Sequence, residues 1–175
     1  MINFNLKEAI GILGRTPAVL ISLLSGLSPT WIYNNEGGES WNPFDIVGHL
    51  THGEKMDWIP RSKIILENGE KNTFEPFDRF AQFKDSKGKT LNDLLEEFTK
   101  LRKSNIDVLN KLNLDENDFN KKGIHPEFGK VTLKQLFSTW VAHDLSHIRQ
   151  IARVMAKQYK NEIGPWGIYL PVINE

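Results

Sequence analysis

The sequence contains no cysteine among its 175 residues. Disulfide bonds, thiolate metal ligands and a cysteine nucleophile are therefore excluded. A metal ion, if one binds, must be held by nitrogen and oxygen atoms.

The sequence also lacks an excess of charge of either sign, because 22 lysines and arginines balance 22 aspartates and glutamates. Such a chain has no long-range attraction to a phosphate backbone or to an anionic membrane. We therefore expect neither nucleic acid nor a membrane as a partner, and a small-molecule substrate instead.

Long apolar runs are missing as well. No run approaches the roughly 20 residues that cross a bilayer, and the first ten residues, MINFNLKEAI, do not resemble a secretion signal. The composition predicts a soluble cytoplasmic protein. A length of 175 residues is typical of one domain, which we predict over residues 1–175.

Helical patterns begin at several capping signals. Residues 5–27 predict one bent helix or two short ones, with Thr16 as a cap and Pro17 in the first helical position. In the same way, Asn42 as a cap and Pro43 in the first helical position open a second helix, which runs to about Glu67. Pro60 should kink that helix, because proline removes a backbone hydrogen bond and crowds the preceding turn.

Two capping boxes open the remaining long helices. Thr90 with Asp93 begins a third helix, and Thr132 with Gln135 begins a fourth that runs to about Tyr159. Apolar residues recur at steps of three and four along the third helix, which predicts one buried face. These positions are Leu91, Leu94, Leu95, Phe98, Leu101, Ile106, Leu109 and Leu112.

Residues 69–89 show no clear period and contain glycine and proline, so they predict a long loop, with one short helical turn at most. A loop of this length is often functional. No strand pair is convincing, since VTL and IYLPVI are too short to build a sheet. The predicted fold is all-α, a four-helix bundle.

The stretch HDLSHIRQI places two histidines within the fourth helix. At 100° per residue, His143 and His147 both lie within about 20° of Leu136, in the middle of the apolar stripe. Two imidazoles in a dry interior need polar partners. One divalent ion would satisfy both, because histidines at i and i+4 can chelate it, and neutral imidazole suits zinc, nickel, copper or iron.

A third ligand should come from the second helix. His49 is the stronger candidate, because Gly48 and Gly53 keep its surroundings small. His52 lies about 60° away around that helix and is the rival. Three histidines with one open position form a catalytic arrangement in zinc chemistry, whereas a fourth protein ligand would indicate a structural site.

Structural explanations compete with the metal hypothesis. The histidines can satisfy one another and core carbonyl groups without any ion. His125 is more typical of a turn residue or of a surface histidine. Asp144 follows the first histidine as glutamate does in HExxH, but its shorter side chain favours a supporting or surface role. Glu54 and Asp57 are the candidates for a general base.

The ordered set WNPFDIVGHL and HPEFGKVTLKQLFSTWVAHDLSHIRQI resembles the DinB-like superfamily, and the similarity extends from the RTPAVL segment to about Ala156. The resemblance implies an up-up-down-down four-helix bundle, frequently a homodimer. It also implies a divalent ion held by His49, His143 and His147; His52 matches no recurring ligand position. Zinc or nickel is expected ahead of iron or manganese.

Members of this superfamily are often described as metal-dependent hydrolases, and some relatives are S-transferases or isomerases that use small thiols such as bacillithiol or mycothiol. We therefore expect a metal-dependent transferase or hydrolase that activates a thiol or water. Thiol transfer is slightly favoured, because hydrolysis normally needs a nearby carboxylate base and the sequence does not single one out between Glu54 and Asp57. The alternative is a non-catalytic metal-binding or stress-response protein.

Overall fold

The computed structural model describes residues 2–174. At the N-terminus, α1 (Leu6–Leu13) and α2 (Thr16–Leu24) are separate helices, which decides between the two predicted forms. Thr16 does not cap α2, because the N-cap is Arg15 and makes no side-chain hydrogen bond. The Thr16 hydroxyl instead donates to Asp144 Oδ2 at 2.6 Å, which joins α2 to the fourth long helix. A short helix, α3 (Pro29–Tyr33), follows.

The second helical stretch is broken before the predicted kink. α4 (Pro43–Met56) ends at Asp57, and α5 (Trp58–Asn68) begins immediately afterwards. The predicted cap at its start is confirmed, and Asn42 and Asp45 are bonded reciprocally in a capping box. The break precedes Pro60 because proline has no N–H for the carbonyl four residues earlier, so the preceding turn is interrupted.

The predicted loop over residues 69–89 contains a 3-10 turn (Gly69–Lys71) and one short helix, α6 (Ala81–Asp85). α6 packs directly on α4 at Gly48. A Cβ atom on Gly48 would lie 2.5 Å from Gln82 Oε1 and 2.6 Å from Ser86 Oγ. The missing side chain therefore allows the two helices to approach closely.

Both predicted capping boxes are confirmed. They open α7 (Leu91–Lys111) and α8 (Leu133–Lys157). Together with α1–α2 and α4–α5, these helices form the bundle, in which α4 packs on both α7 and α8. Within residues 2–174, no helix combines the length and apolar character that a membrane span requires.

The absence of a strand pair was a wrong prediction. A 3-10 turn (Asp118–Asn120) leads into β1 (Lys122–His125), which pairs antiparallel with β2 (Gly129–Thr132). A hairpin this short is marginal alone. Here Gly123 lies against Ile65 and Phe74, so the hairpin is stabilised by tertiary packing that four-residue strands do not reveal in sequence.

The C-terminal segment contains a 3-10 helix (Gly164–Tyr169) and α9 (Pro171–Asn174). α9 packs against α8 and its Ile173 is buried. Trp166, Ile168 and Tyr169 are exposed. The homodimer stays a prediction.

Candidate metal centre

Three histidines from two helices converge inside the bundle. His49 lies on α4, while His143 and His147 lie one turn apart on α8. The Nε2 atom of His143 is 3.1 Å from Nε2 of His49 and 3.1 Å from Nε2 of His147. Each of the three offers one ligand atom, and these atoms all lie within 4.8 Å of one another.

This cluster fits a divalent transition metal. Nitrogen ligands about 2.05 Å from a tetrahedral ion lie roughly 3.3 Å from each other, close to the two measured separations. Burial lowers the pKa of His49 to about 3 and that of His143 to about 2, and it also lowers the pKa of His147. The imidazoles are therefore neutral at pH 7, the form that binds metals.

The surroundings fix the three rings in place. The Nδ1 atom of His147 lies 2.8 Å from Gln150 Oε1, so a proton on Nδ1 leaves the Nε2 lone pair free for a metal. Rings of Trp41 and Trp58 pack against His49 and His143, respectively. The Nδ1 atoms of His49 and His143 are buried and have no hydrogen-bond partner within residues 2–174.

His52, the rival ligand, is not part of the cluster. Its Nδ1 lies 3.0 Å from Asp85 Oδ2, at the end of α6. The short helix that packs on Gly48 thus provides this histidine with a separate partner. His125, predicted to be a turn or surface histidine, is the last residue of β1 and lies in the wall of the cavity beside the cluster. Its Nδ1 accepts hydrogen bonds from the backbone N–H groups of Glu127 and Phe128, in the turn of the hairpin.

A cavity of about 350 Å³ opens beside the cluster, and His49 and His143 form part of its wall. Most of the wall is apolar, which is typical of sites for small molecules. The 69–89 segment contributes Phe74 and Phe77, and the hairpin contributes Phe128. The predicted loop therefore helps to enclose the site.

One of the two predicted carboxylates is unavailable as a base. Glu54 is fully buried, accepts hydrogen bonds from Arg102 Nη2 at 2.8 Å and from Trp140 Nε1 at 3.0 Å, and has no exposed oxygen for a substrate. Asp144 is likewise buried, with Arg102 Nη1 2.5 Å from its Oδ2, which excludes the surface role.

Sequence reasoning missed Arg102 as the partner of these carboxylates. The signal was present, because Arg102 falls four residues after Phe98 and so lies in the apolar stripe of α7. A charged residue at such a position requires buried partners of opposite charge.

Asp57, the other predicted carboxylate, does line the cavity. Arg61 Nε lies 2.8 Å from Asp57 Oδ1, which is buried, so the two side chains form an ion pair in the cavity wall. Burial raises the pKa of Asp57, an effect that the neighbouring Arg61 charge opposes.

The fold and the site define a helical bundle with three histidines arranged to hold a metal beside a small-molecule cavity. Residues 12–151 match the sequence model of the DinB superfamily, and the chain belongs to that superfamily. No curated protein matches the chain.

Among solved structures, the chain is similar to YfiT from Bacillus subtilis, with a TM-score of 0.75 and 22% sequence identity. The alignment covers 87% of this chain and 86% of YfiT. YfiT is described as a probable metal-dependent hydrolase with an unusual four-helix bundle topology. At this identity, the likeness establishes the fold alone.

Proposed function

We propose that the protein is a metal-dependent hydrolase of small molecules, in which His49, His143 and His147 hold a divalent ion. One observation carries the proposal: two of these histidines also form the wall of the adjacent cavity. A substrate bound there would lie directly beside the ion. The description of the structurally similar YfiT supports the same class of reaction.

The chain's own residues have distinct roles in this proposal. The three neutral imidazoles bind the ion, and the aromatic rings of Phe74, Phe77 and Phe128 surround the substrate and exclude water. An ion bound in this way supplies Lewis acidity, which lowers the pKa of water or a thiol. Asp57 provides a carboxylate in the cavity wall and is the general-base candidate that remains once Glu54 is excluded.

Transfer of a small thiol, which the sequence slightly favoured, would use the same ligands and the same cavity. Hydrolysis is preferred here because Asp57 faces the cavity and can hold a proton. The two reactions differ in the nucleophile that is consumed, so one experiment can separate them.

The test combines metal analysis with activity, using full-length protein purified without a histidine tag. We expect about one transition metal ion per chain, lost in His147→Ala with helicity unchanged and retained in His52→Ala. Phenyl esters and anilides should be hydrolysed before chelation and not after it. Thiol consumption without hydrolysis would replace the proposal by thiol transfer, and full metal content in His147→Ala would refute the ligand set.

A further inference from the structure

The metal centre does not use the motif HPEFG, residues 125–129, which forms the tip of the hairpin. Its first residue, His125, ends β1 and forms part of the cavity wall. Two aromatic rings hold this imidazole in one orientation. The Phe128 ring stacks on it with centroids 4.4 Å apart, and the Phe74 ring meets it edge-on at 6.2 Å. A ring fixed in this way presents its polar atoms in a constant direction.

The hydrogen bonds of His125 fix its tautomer. Its Nδ1 accepts from the backbone N–H of Glu127 at 3.1 Å and from that of Phe128 at 3.3 Å. A ring nitrogen that accepts carries no proton, so the proton of the neutral imidazole is on Nε2. Burial and the nearby Arg61 charge lower the pKa of His125, against an opposing effect of Glu127. The ring is therefore neutral at pH 7.

This arrangement leaves a donor without an acceptor. Within residues 2–174 no group accepts a hydrogen bond from His125 Nε2, and part of the surface of this atom is accessible. Nε2 also lies on the side of the ring away from the hairpin turn, because Nδ1 faces the backbone of that turn. An N–H group whose direction the fold fixes favours a ligand that carries an acceptor.

The charged groups of the wall do not compete for that acceptor. Asp57 and Arg61 form an ion pair, and Arg61 Nη2 also donates to the carbonyl oxygen of Glu75 at 3.2 Å. Glu127 is exposed, forms no ion pair within residues 2–174, and as a carboxylate can only accept. The wall around His125 thus contains no unpaired positive charge, which would bind an oxygen atom more strongly than a neutral N–H does.

We propose that His125 is a catalytic residue, whose Nε2–H is directed into the cavity and donates to the carbonyl oxygen of a carboxylic ester or amide. The proposal rests on the proposed hydrolase function and names its substrate class. In the reaction, water adds to the carbonyl carbon, and an electron pair moves onto the carbonyl oxygen, which the His125 N–H stabilises as it becomes negative. The pair then returns, and the bond from carbon to the leaving oxygen or nitrogen breaks. A proton from the water ends on the leaving group, and His125 transfers none.

NMR of the chelated full-length protein tests the tautomer directly. Long-range proton–nitrogen correlations distinguish a protonated ring nitrogen from an unprotonated one, and the contact with the Phe128 ring identifies the His125 signals. We expect a proton on Nε2 and none on Nδ1 at pH 7. A proton on Nδ1 would overturn the proposal.

Ligand-observed NMR on the same metal-free protein tests the donor. Acetophenone has a carbonyl oxygen, and α-methylstyrene has nearly the same shape with a methylene group in its place. In His125→Asn, an amide oxygen can still accept from the backbone N–H groups of the turn, while the Nε2 donor is lost. The affinity ratio of acetophenone to α-methylstyrene should be about fivefold higher in the wild type than in this variant. An unchanged ratio would refute the role of His125.

Two further variants separate His125 from its neighbours. Thr139→Val removes an exposed hydroxyl from the cavity wall and should leave the affinity ratio unchanged. His125→Gln reaches the position of Nε2 with an amide N–H, so it should restore part of the ratio that His125→Asn loses. A ratio that falls in Thr139→Val as far as in His125→Asn would assign the donor to Thr139. If the His125 variants do not fold, the tautomer in the wild type still decides.

Turnover gives a separate outcome. In the metal-loaded protein, kcat for phenyl acetate should fall roughly 100-fold in His125→Asn, with metal content unchanged by elemental analysis. If the affinity ratio depends on His125 but no metal-dependent hydrolysis occurs, the carbonyl site stands and the hydrolase is refuted. Metal-dependent hydrolysis at the same rate in the wild type and in His125→Asn would preserve the hydrolase and refute this role of His125.

Discussion

Trp58 lies edge-on against His143, with ring centroids 5.1 Å apart and planes inclined at 67°. On the other side of the cluster, Trp41 contacts His49 with centroids 4.9 Å apart. Two indole rings thus touch two of the candidate metal ligands. Ions with open d shells quench the fluorescence of nearby indoles, whereas zinc, with a filled shell, does not do so in this way.

We therefore expect saturable, partial quenching of tryptophan fluorescence when copper or nickel is added to the chelated protein. Zinc should compete with the quenching ion without quenching itself. Trp58→Phe should remove much of the effect and leave metal content unchanged by elemental analysis. If Trp58→Phe and His143→Ala are both quenched as deeply as the wild type, the ion binds elsewhere.

The helices of this fold could be predicted because their signals are local. Capping boxes at Thr90 and Thr132 depend on residues three positions apart, and both are present. The hairpin depends on contacts between distant segments, since Gly123 packs against Ile65 and Phe74. Such contacts override local preferences, so the sequence alone rejected the strands. The break at Asp57 does follow from Pro60, but it lies in the turn before the proline rather than at the proline itself.

The same limit applies to the site, because its local part could be predicted and its long-range contacts could not. The spacing of His143 and His147 on one helix fixes their common face, and the structure brings them together. The choice between His49 and His52 depended on Asp85, which lies 33 residues further along the chain and pairs with His52. No periodicity encodes that contact, and none encodes the position of Asp57 in the cavity.

The pH dependence of stability follows from burial of the histidines. In the unfolded chain each imidazole binds a proton near pH 6.5, whereas the folded pKa values are about 3 for His49 and about 2 for His143. Between these limits the unfolded state holds more protons. The free energy of unfolding therefore rises as the pH rises toward 6.5 and levels off above it.

We expect the chelated protein to lose roughly 1 kcal/mol per buried imidazole between pH 7.5 and pH 5.5. Urea unfolding at the two pH values measures this loss. In His143→Gln the loss should be smaller by about that amount, since glutamine does not titrate. Buried carboxyl groups titrate in both proteins and cancel in the comparison. If the wild type and His143→Gln lose the same free energy of unfolding between the two pH values, His143 is not the group that titrates.

A second prediction on stability concerns Arg102, which joins α7 to three other helices in the interior. Its guanidinium pairs with Glu54 on α4 and Asp144 on α8, and Nη1 also donates to the carbonyl oxygen of Leu13 at 2.8 Å. Arg102→Met leaves two buried carboxylates without their counter-charge. We expect a loss of about 3–5 kcal/mol in the free energy of unfolding.

The control for this prediction is Lys100→Met, which removes an exposed ion pair with Glu96 and should change stability by less than about 0.5 kcal/mol. The combined variant Glu54→Gln/Arg102→Met/Asp144→Asn should recover part of the loss, because no charge then remains buried. If Arg102→Met proves as stable as Lys100→Met, the buried network does not hold these helices together.

Two glycines on α4 provide a matched pair for testing how α6 is held beside the site. A methyl group on Gly48 would lie 2.5 Å from Gln82 Oε1 and 2.6 Å from Ser86 Oγ, and Gln82 is fully buried and has little room to move. A methyl group on Gly53 would meet only Trp58 Nε1, at 3.5 Å. Alanine also stabilises a helix interior by about 0.5–1 kcal/mol relative to glycine.

Gly53→Ala should therefore leave stability unchanged or raise it by that amount, whereas Gly48→Ala should lower it by roughly 1–3 kcal/mol, the usual effect of overpacking. Urea unfolding measures both effects. Displacement of α6 would also separate Asp85 from His52, so the imidazole NMR signals of His52 should shift in Gly48→Ala and not in Gly53→Ala. Similar stabilities and unshifted His52 signals in both variants would mean that α6 does not depend on close contact at Gly48.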